Sequence, residues 1–214
     1  MERVTWWAVL SSACAPLVLI AGSTTAAALQ GPAYDPVRET ISVLAADGPS
    51  GYWWLTATLI ALGVCHVTTA FGLRAAAPAG RLALGAGGVS AFVLALFPAP
   101  RTGGSFSHGS VVTVGFSLLA LWPILACSRS PGAPRGGRAP WGLRPIPSFT
   151  VSGLIVLGAA WFLVALQLHG APGIAERVLT AAQALWPVVV AVSCLFHSHG
   201  VNPSAPRAPV KRGP

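Results

Sequence analysis

Six long apolar runs, separated by short polar stretches, dominate the pattern of this 214-residue chain. Each run has about the 20 residues that a helix needs to cross a hydrocarbon core about 30 Å thick. Arg3 and small residues flank the first run as in a signal peptide, but its length and the five runs that follow favour a retained helix. The pattern predicts an all-α polytopic membrane bundle of six transmembrane helices, with spans near 5–29, 52–74, 81–98, 109–127, 148–168 and 178–197.

Two stretches rich in Pro, Gly and Arg have no apolar period, and they lie at 128–147 and 198–214. Such composition is typical of solvated connections that bury no apolar face. We therefore predict a flexible connection between spans 4 and 5. The chain as a whole divides into a transmembrane domain over 1–197 and a disordered basic cytoplasmic tail over 198–214.

The stretch YDPVRETISVLAADGPSGYWW, residues 34–54, follows the first span and carries charges of both signs. Asp35 precedes a proline, an order that suits a helix N-cap followed by the first helical position. Apolar residues then recur at helical spacing, as Val37, Ile41 and Leu44. The spacing predicts a short amphipathic helix lying in the membrane interface after helix 1.

Composition and charge agree with a membrane protein, because 54% of the residues are apolar and only 8% are charged. Soluble domains have about 25% charged residues. The net charge of +8 does not indicate nucleic-acid binding, since the basic residues lie between apolar runs rather than on one amphipathic surface. Membrane lipids are the expected partners, nucleic acid is not, and the sequence indicates no protein partner.

The distribution of Arg and Lys predicts the orientation of the chain. With a cytoplasmic N-terminus, ten cations fall inside and three fall outside, the three being Arg38, Arg101 and Arg177. Positive charge in short loops favours the cytoplasmic side. We therefore expect a multi-pass protein of the cell membrane with both termini in the cytoplasm and the 34–54 stretch outside.

Four fragments resemble a bacterial membrane-protein family, domain of unknown function 998: YDPVRETISVLAADGPSGYWW, GVCHVTTAFGLR, SHGSVVTVGFSLLALWP and IAERVLTAAQALWP. The resemblance covers about residues 5–197 and implies a six-helix integral membrane protein with no assigned reaction. The segment after helix 1 is also distantly similar to lipid-remodelling proteins of the Frag1 and DRAM type.

The three outer loops bring polar side chains to one rim of the predicted bundle. The catalytic candidates are His108, Glu39 and Asp35, because acids and a base near a lipid headgroup suit acid–base chemistry. The ligand-binding candidates on this rim are Arg38, Ser42, Asp47, Glu176 and Arg177. The adjacent opposite charges also allow a second interpretation, a salt-bridged structural lid, which we favour.

His66 lies inside the second span, where an ionisable group is unfavourable unless it faces the bundle interior and finds a partner. It is therefore a further ligand-binding candidate. The alternative, which we favour, is a neutral histidine hydrogen-bonded to a neighbouring helix.

No cofactor is expected. Haem would need a second axial histidine opposite His66, and the HSH tripeptide at 197–199 has no Cys or acid near it to complete a zinc site. Hydrolase and nucleotide-binding motifs are also missing from the sequence. We expect an accessory membrane protein that binds lipid or a partner through its outer rim. The alternatives are an outer-leaflet lipid-modifying enzyme and a small transporter built on the hairpins that share the tetrapeptide ALWP.

Overall fold

The computed structural model describes residues 4–46, 51–100, 104–127 and 139–200, with side chains described to residue 198. Within these ranges the chain forms helices and no strand. Six helices are long and apolar enough to cross a membrane, so the predicted architecture is confirmed. They are α1 Trp6–Gln30, α2 Tyr52–Gly72, α3 Pro78–Leu96, α4 Phe106–Ala126, α5 Pro145–Gln167 and α6 Pro172–Gly200.

The helices begin where the sequence offers suitable first residues. Proline is the first residue of α3, α5 and α6, where its fixed φ suits the helix and its missing N–H is not needed. α4 begins after Ser105, whose hydroxyl accepts a hydrogen bond from the backbone N–H of His108 at 3.3 Å. α6 begins earlier than the predicted span, at Pro172, and this places Glu176 and Arg177 on the helix.

The six helices form a closed ring. Each helix packs against the next one along the chain, and α6 packs against α1. Large apolar side chains are exposed around the outside of the ring, as expected where a bundle meets lipid. They include Trp6, Leu82, Leu96, Phe106, Ile146 and Leu168.

The connections α1–α2, α3–α4 and α5–α6 all lie at one end of the bundle, which we call the Glu176 end after the residue near the start of α6. The opposite end contains a buried cluster that includes Trp122 and Trp186, the tryptophans of the two ALWP sequences. The bundle therefore has a packed core at one end. The site described below lies towards the other.

Two glycines let α2 and α3 approach closely in the middle of the bundle. A Cβ atom on Gly63 would lie 2.7 Å from the carbonyl oxygen of Gly88, and one on Gly88 would lie 2.9 Å from the Cβ atom of His66. Small residues at such crossings are a common means of packing helices in lipid. The approach fixes the position of α3 against the turn of α2 that carries His66.

Part of the predicted flexible connection 128–147 is structured. Residues 128–138 lie outside the described residues, but Trp141–Leu143 forms a short 3-10 helix and α5 begins at Pro145. The backbone N–H of Gly142 donates to the Ser193 hydroxyl at 3.1 Å, and the Trp141 ring packs edge-on against Trp186 at 5.9 Å. These contacts to α6 are long-range, so local composition did not predict them. The tail predicted for 198–214 lies outside the described residues from residue 201 onward.

A short helix follows α1, as predicted, but it differs from the predicted amphipathic helix in extent and surroundings. Residues 35–39 form a turn, and a 3-10 helix covers Ile41–Ala45. Ile41 and Leu44 are buried in the bundle, whereas Val37 is exposed. We call residues 34–46 the covering segment, because this stretch lies across the Glu176 end of the ring.

Candidate functional site

A cavity of about 90 Å³ lies inside the ring, beneath the covering segment. Side chains from α1, α2, α3, α4 and α6 line it, and Ile41, Ser42 and Ala45 of the covering segment line it at the Glu176 end. Cavities between the helices of a bundle are common positions for ligand sites. The fold thus provides an internal space close to the predicted rim.

The cavity is long and narrow. On α2 it extends from Leu55 to His66, and on α4 it extends from His108 to Leu119. Both pairs are eleven residues apart, which at 1.5 Å per residue corresponds to about 16 Å. This length is about half of the roughly 30 Å hydrocarbon thickness of a bilayer.

Most of the lining is apolar. The α2 and α4 faces contribute leucines at helical spacing together with Val112 and Phe116. Polar side chains form a stripe along α6 instead, where Glu176, Thr180 and Gln183 follow one another at spacings of four and three residues. The cavity therefore has an apolar wall and a polar wall, and its polar groups include Ser42 and His108 at the Glu176 end.

Glu176 joins α6 to the covering segment. Its carboxylate is only 4% exposed, and it accepts hydrogen bonds from the backbone N–H of Ile41 and from the Ser42 hydroxyl, the latter at 3.0 Å. The first N–H groups of a helix have no partner within the helix, and a carboxylate is well suited to accept from them. Glu176 thus caps the 3-10 helix from 135 residues away in the chain.

Arg177 holds the preceding turn of the covering segment. One guanidinium nitrogen donates to the carbonyl oxygens of Pro36, Glu39 and Gly173 at 3.0, 3.2 and 2.9 Å, and the other donates to the Tyr34 hydroxyl. Burial raises the pKa of the Tyr34 phenol, although the neighbouring guanidinium acts in the opposite direction. Tyr34 therefore remains protonated and contributes its own contacts to the Glu39 and Thr40 carbonyls, each at 3.1 Å.

Backbone contact completes this attachment. The N–H of Gly173 donates to the Val37 carbonyl at 3.1 Å, and a side chain at position 173 would collide with the carbonyl oxygens of Pro36 and Glu39. Only glycine allows the covering segment to lie so close to the start of α6. The start of α6 is therefore shaped to receive the segment.

The charged residues of the turn mainly bind within it. The Asp35 carboxylate accepts from the Val37 N–H at 2.9 Å, and the Glu39 carboxylate accepts from the Asp35 N–H at 2.7 Å. Among the described residues, Arg38 forms an ion pair with Asp35 at 3.9 Å, and both side chains are well exposed. Adjacent residues such as Arg38 and Glu39 do not face each other in a helical turn, which explains why they do not form the expected pair.

His108 lies at the Glu176 end of the cavity and is held by the α3–α4 connection. Its Nδ1 atom is 2.8 Å from the carbonyl oxygen of Phe97. A carbonyl oxygen can only accept, so Nδ1 carries a proton in this contact and Nε2 is left for another contact. The ring is thereby fixed on α4 with one nitrogen available for a ligand.

His66 lies at the other end of the cavity and is 2% exposed. Its Nδ1 atom is buried without a hydrogen-bond partner in the described part of the chain. The hydrogen bond to a neighbouring helix that we favoured from the sequence is thus not found for Nδ1. Burial of an imidazole without a partner is unfavourable, so this position needs an explanation.

The structure divides the described site residues into two groups. His108, Glu176, Ser42 and His66 line the cavity, while Arg177, Glu39, Asp35 and Arg38 hold or form the turn outside it. Within the described residues, His108 and Glu39 do not hydrogen-bond to each other. Asp47 lies outside the described residues.

Sequence reasoning missed four residues of this region: Tyr34, Gly173, Thr180 and Gln183. The last two had a visible signal, since they continue from Glu176 at helical spacing through an otherwise apolar run. Gln183 is buried, and its amide donates to the Phe116 carbonyl of α4 at 3.2 Å. Tyr34 and Gly173 had no such signal, because their roles depend on contacts between α6 and the covering segment.

Comparison with known proteins identifies a family but no activity. The model of a family described as a protein of unknown function, DUF998, matches residues 12–193. No curated protein matches the chain. No solved structure matches it either.

Proposed function

The chain belongs to the DUF998 family of membrane proteins of unknown function, and we propose that it binds a membrane lipid in the cavity beneath its covering segment. The observation that carries this proposal is the form of the cavity. It is narrow, about half a bilayer long and mostly apolar, and its polar groups are most numerous where the covering segment meets Glu176 and His108, with Gln183 and His66 lying deeper. An amphiphile with one chain and a polar end has the same division.

The polar end of the ligand should determine which lipid binds, because the chain only moves from one apolar environment to another. A lipid chain in the cavity leaves other lipid chains, so burial alone gives little affinity, and specificity comes from the polar end. The Nε2 atom of His108 and the hydroxyls of Ser42 and Thr180 are hydrogen-bonding groups at or near that end. The covering segment then separates the bound polar group from water.

For the orientation, we propose a multi-pass protein of the plasma membrane with both termini in the cytoplasm and the Glu176 end outside. The support is the distribution of the basic residues, ten of which would lie inside and three outside. The ligand would therefore come from the outer leaflet. Its polar end would lie at the outer interface, beneath the covering segment.

The test uses one substitution at two positions of α4. Val112 lines the cavity, whereas Val114 is exposed on the outside of the ring. Val112→Phe should fill the cavity and remove lipids that copurify with the protein, as measured by mass spectrometry of extracted lipid, and Val114→Phe should leave them unchanged. Equal lipid content in the wild type and both variants would contradict the proposal.

Lipid modification is the second candidate, because His108 and Glu176 line the same cavity. The hydroxyl groups of Ser42 on the covering segment and Thr180 on α6 line it as well. A base and an acid at one lipid-binding site are the requirement for acid–base chemistry. Comparative lipidomics of a deletion strain, complemented with the wild type or with His108→Ala, tests it. Complementation by His108→Ala that restores the parental lipid profile would exclude this role.

A further inference from the structure

His66 lies at the end of the cavity farthest from the covering segment, on the same face of α2 as Leu55, Leu59 and Leu62. The side chain is 98% enclosed, since only 2% of its surface is exposed, and Nδ1 has no partner among the described residues. Nor does either ring nitrogen take part in a side-chain hydrogen bond in that part of the chain. Nδ1 is fully enclosed, so the nitrogen through which the ring can meet a partner in the cavity is Nε2, which is not among the enclosed atoms.

The packing around His66 makes a partner within the protein difficult to reach. Gly88 of α3 lies against the Cβ atom of His66, and the carbonyl oxygen of Gly63 lies against Gly88. This close helix crossing holds the base of the imidazole. The imidazole ring therefore borders the cavity, which Gln183 on α6 also lines.

We propose that the cavity is specific for an unbranched lipid-like chain that carries a hydroxyl or carbonyl oxygen at its buried end, and that His66 hydrogen-bonds this oxygen. The inference rests on the proposed lipid binding and adds the chemical class of the ligand. An ordinary acyl chain ends in a methyl group and would leave the imidazole unpaired. An oxygen at the chain end pairs Nε2, because each nitrogen of a neutral imidazole is either a donor or an acceptor.

The shape of the cavity restricts the rest of the ligand. Side chains from five helices enclose the cavity over about 16 Å of its length, and a long, narrow space of this kind suits an unbranched chain better than a fused ring system. A chain with a polar group at one end and a hydroxyl at the other meets both requirements. Its other polar end would lie beside Ser42, His108 and Glu176.

The experiment compares two alcohols of equal length on purified protein in lipid nanodiscs. Dodecanol has one hydroxyl, and α,ω-dodecanediol has one at each end. One additional buried hydrogen bond should make the diol bind roughly 3- to 10-fold more tightly to the wild type. Both affinities are measured by competition with a fluorescent alkyl alcohol and are referred to the concentration of each alcohol in the bilayer, because the diol partitions into lipid less than dodecanol does.

His66→Leu should abolish or reverse the preference for the diol, because the buried hydroxyl then has no partner, and should still bind dodecanol. Thr69→Val is the matched control, since Thr69 is equally buried on α2 with an unpaired hydroxyl but does not line the cavity. This variant should keep the wild-type ratio. The wild-type comparison itself needs no variant, so a misfolded variant would not prevent the test.

The two possible failures are distinguishable. Saturable binding of both alcohols by the wild type with equal affinity would overturn the role of His66 and leave lipid binding in place. Binding of neither alcohol would contradict lipid binding in this cavity, and the inference about His66 would fall with it.

Discussion

Arg177 lies over the ring of Tyr34, with its guanidinium carbon 5.7 Å from the ring centroid, and also donates a hydrogen bond to the Tyr34 hydroxyl. The two residues are 143 positions apart in the chain. They join the first turn after α1 to the start of α6, which are neighbours in the closed ring. The covering segment is therefore hydrogen-bonded to the last helix of the bundle, while its 3-10 helix also packs against α1 and α2.

Replacement of Arg177 should loosen this attachment. Arg177→Ala leaves the Pro36 carbonyl without its donor and removes one of the two donors to the Glu39 carbonyl, and hydrogen bonds to a charged group contribute about 2 kcal/mol. We expect a lower midpoint of thermal unfolding in detergent and faster amide exchange in the covering segment. Arg38→Ala is the control, since Arg38 is 78% exposed and its ion pair is long. Equal effects of the two substitutions would refute the role of Arg177.

Glu176 should determine whether the 3-10 helix Ile41–Ala45 forms. Glu176→Ala removes the acceptor of both the Ile41 N–H and the Ser42 hydroxyl, and a buried unpaired donor costs about 1–3 kcal/mol. Amide exchange at Ile41 should rise strongly. Ser42→Ala removes one of the two bonds and keeps the carboxylate, so its effect should be smaller. If amide exchange at Ile41 were the same in both variants, the capping role would be wrong.

Gly173 offers a steric test of the same attachment. Gly173→Ala places a methyl group against the carbonyl oxygens of Pro36 and Glu39 and should displace the turn. Gly153→Ala is the matched control, because a Cβ atom at position 153 of α5 would have no neighbour within 4 Å. Alanine is the better helix former by about 1 kcal/mol, so the control should be neutral or slightly stabilising. Protection of the covering segment from protease in both variants alike would contradict the expected displacement.

The sequence predicted the helices well because a span depends on a local property, the length of an apolar run. The burial of His66 could also be predicted, since ionisable groups in such runs face the interior. The cavity could not, because it requires the faces of α2, α4 and α6 to be placed around one axis. The pairing of Glu176 with Ile41 was likewise beyond local reasoning, as it joins residues 135 positions apart.

The covering segment shows the same limit in another form. Its apolar spacing correctly indicated helical structure, but the segment has two parts with different roles. The turn at residues 35–39 is set by the Asp35 side chain and by Arg177, whereas Ile41–Ala45 is set by burial and by Glu176. A periodic pattern read along the sequence does not contain these partners.

The orientation of the bundle leads to a prediction that is independent of the cavity. In a variant without the four native cysteines, Arg38→Cys should react with a membrane-impermeant maleimide in intact cells. Arg135→Cys, in the connection between α4 and α5, should react only after permeabilisation. The reason is that basic residues in short loops are retained on the cytoplasmic side, and the α4–α5 connection is rich in arginine while the covering segment is not.

Labelling of both positions after permeabilisation is the control for reactivity. Labelling of both in intact cells would place the two connections on one side, which the six-helix arrangement does not allow, and labelling of Arg135→Cys alone would reverse the orientation and place the polar end of the cavity in the inner leaflet.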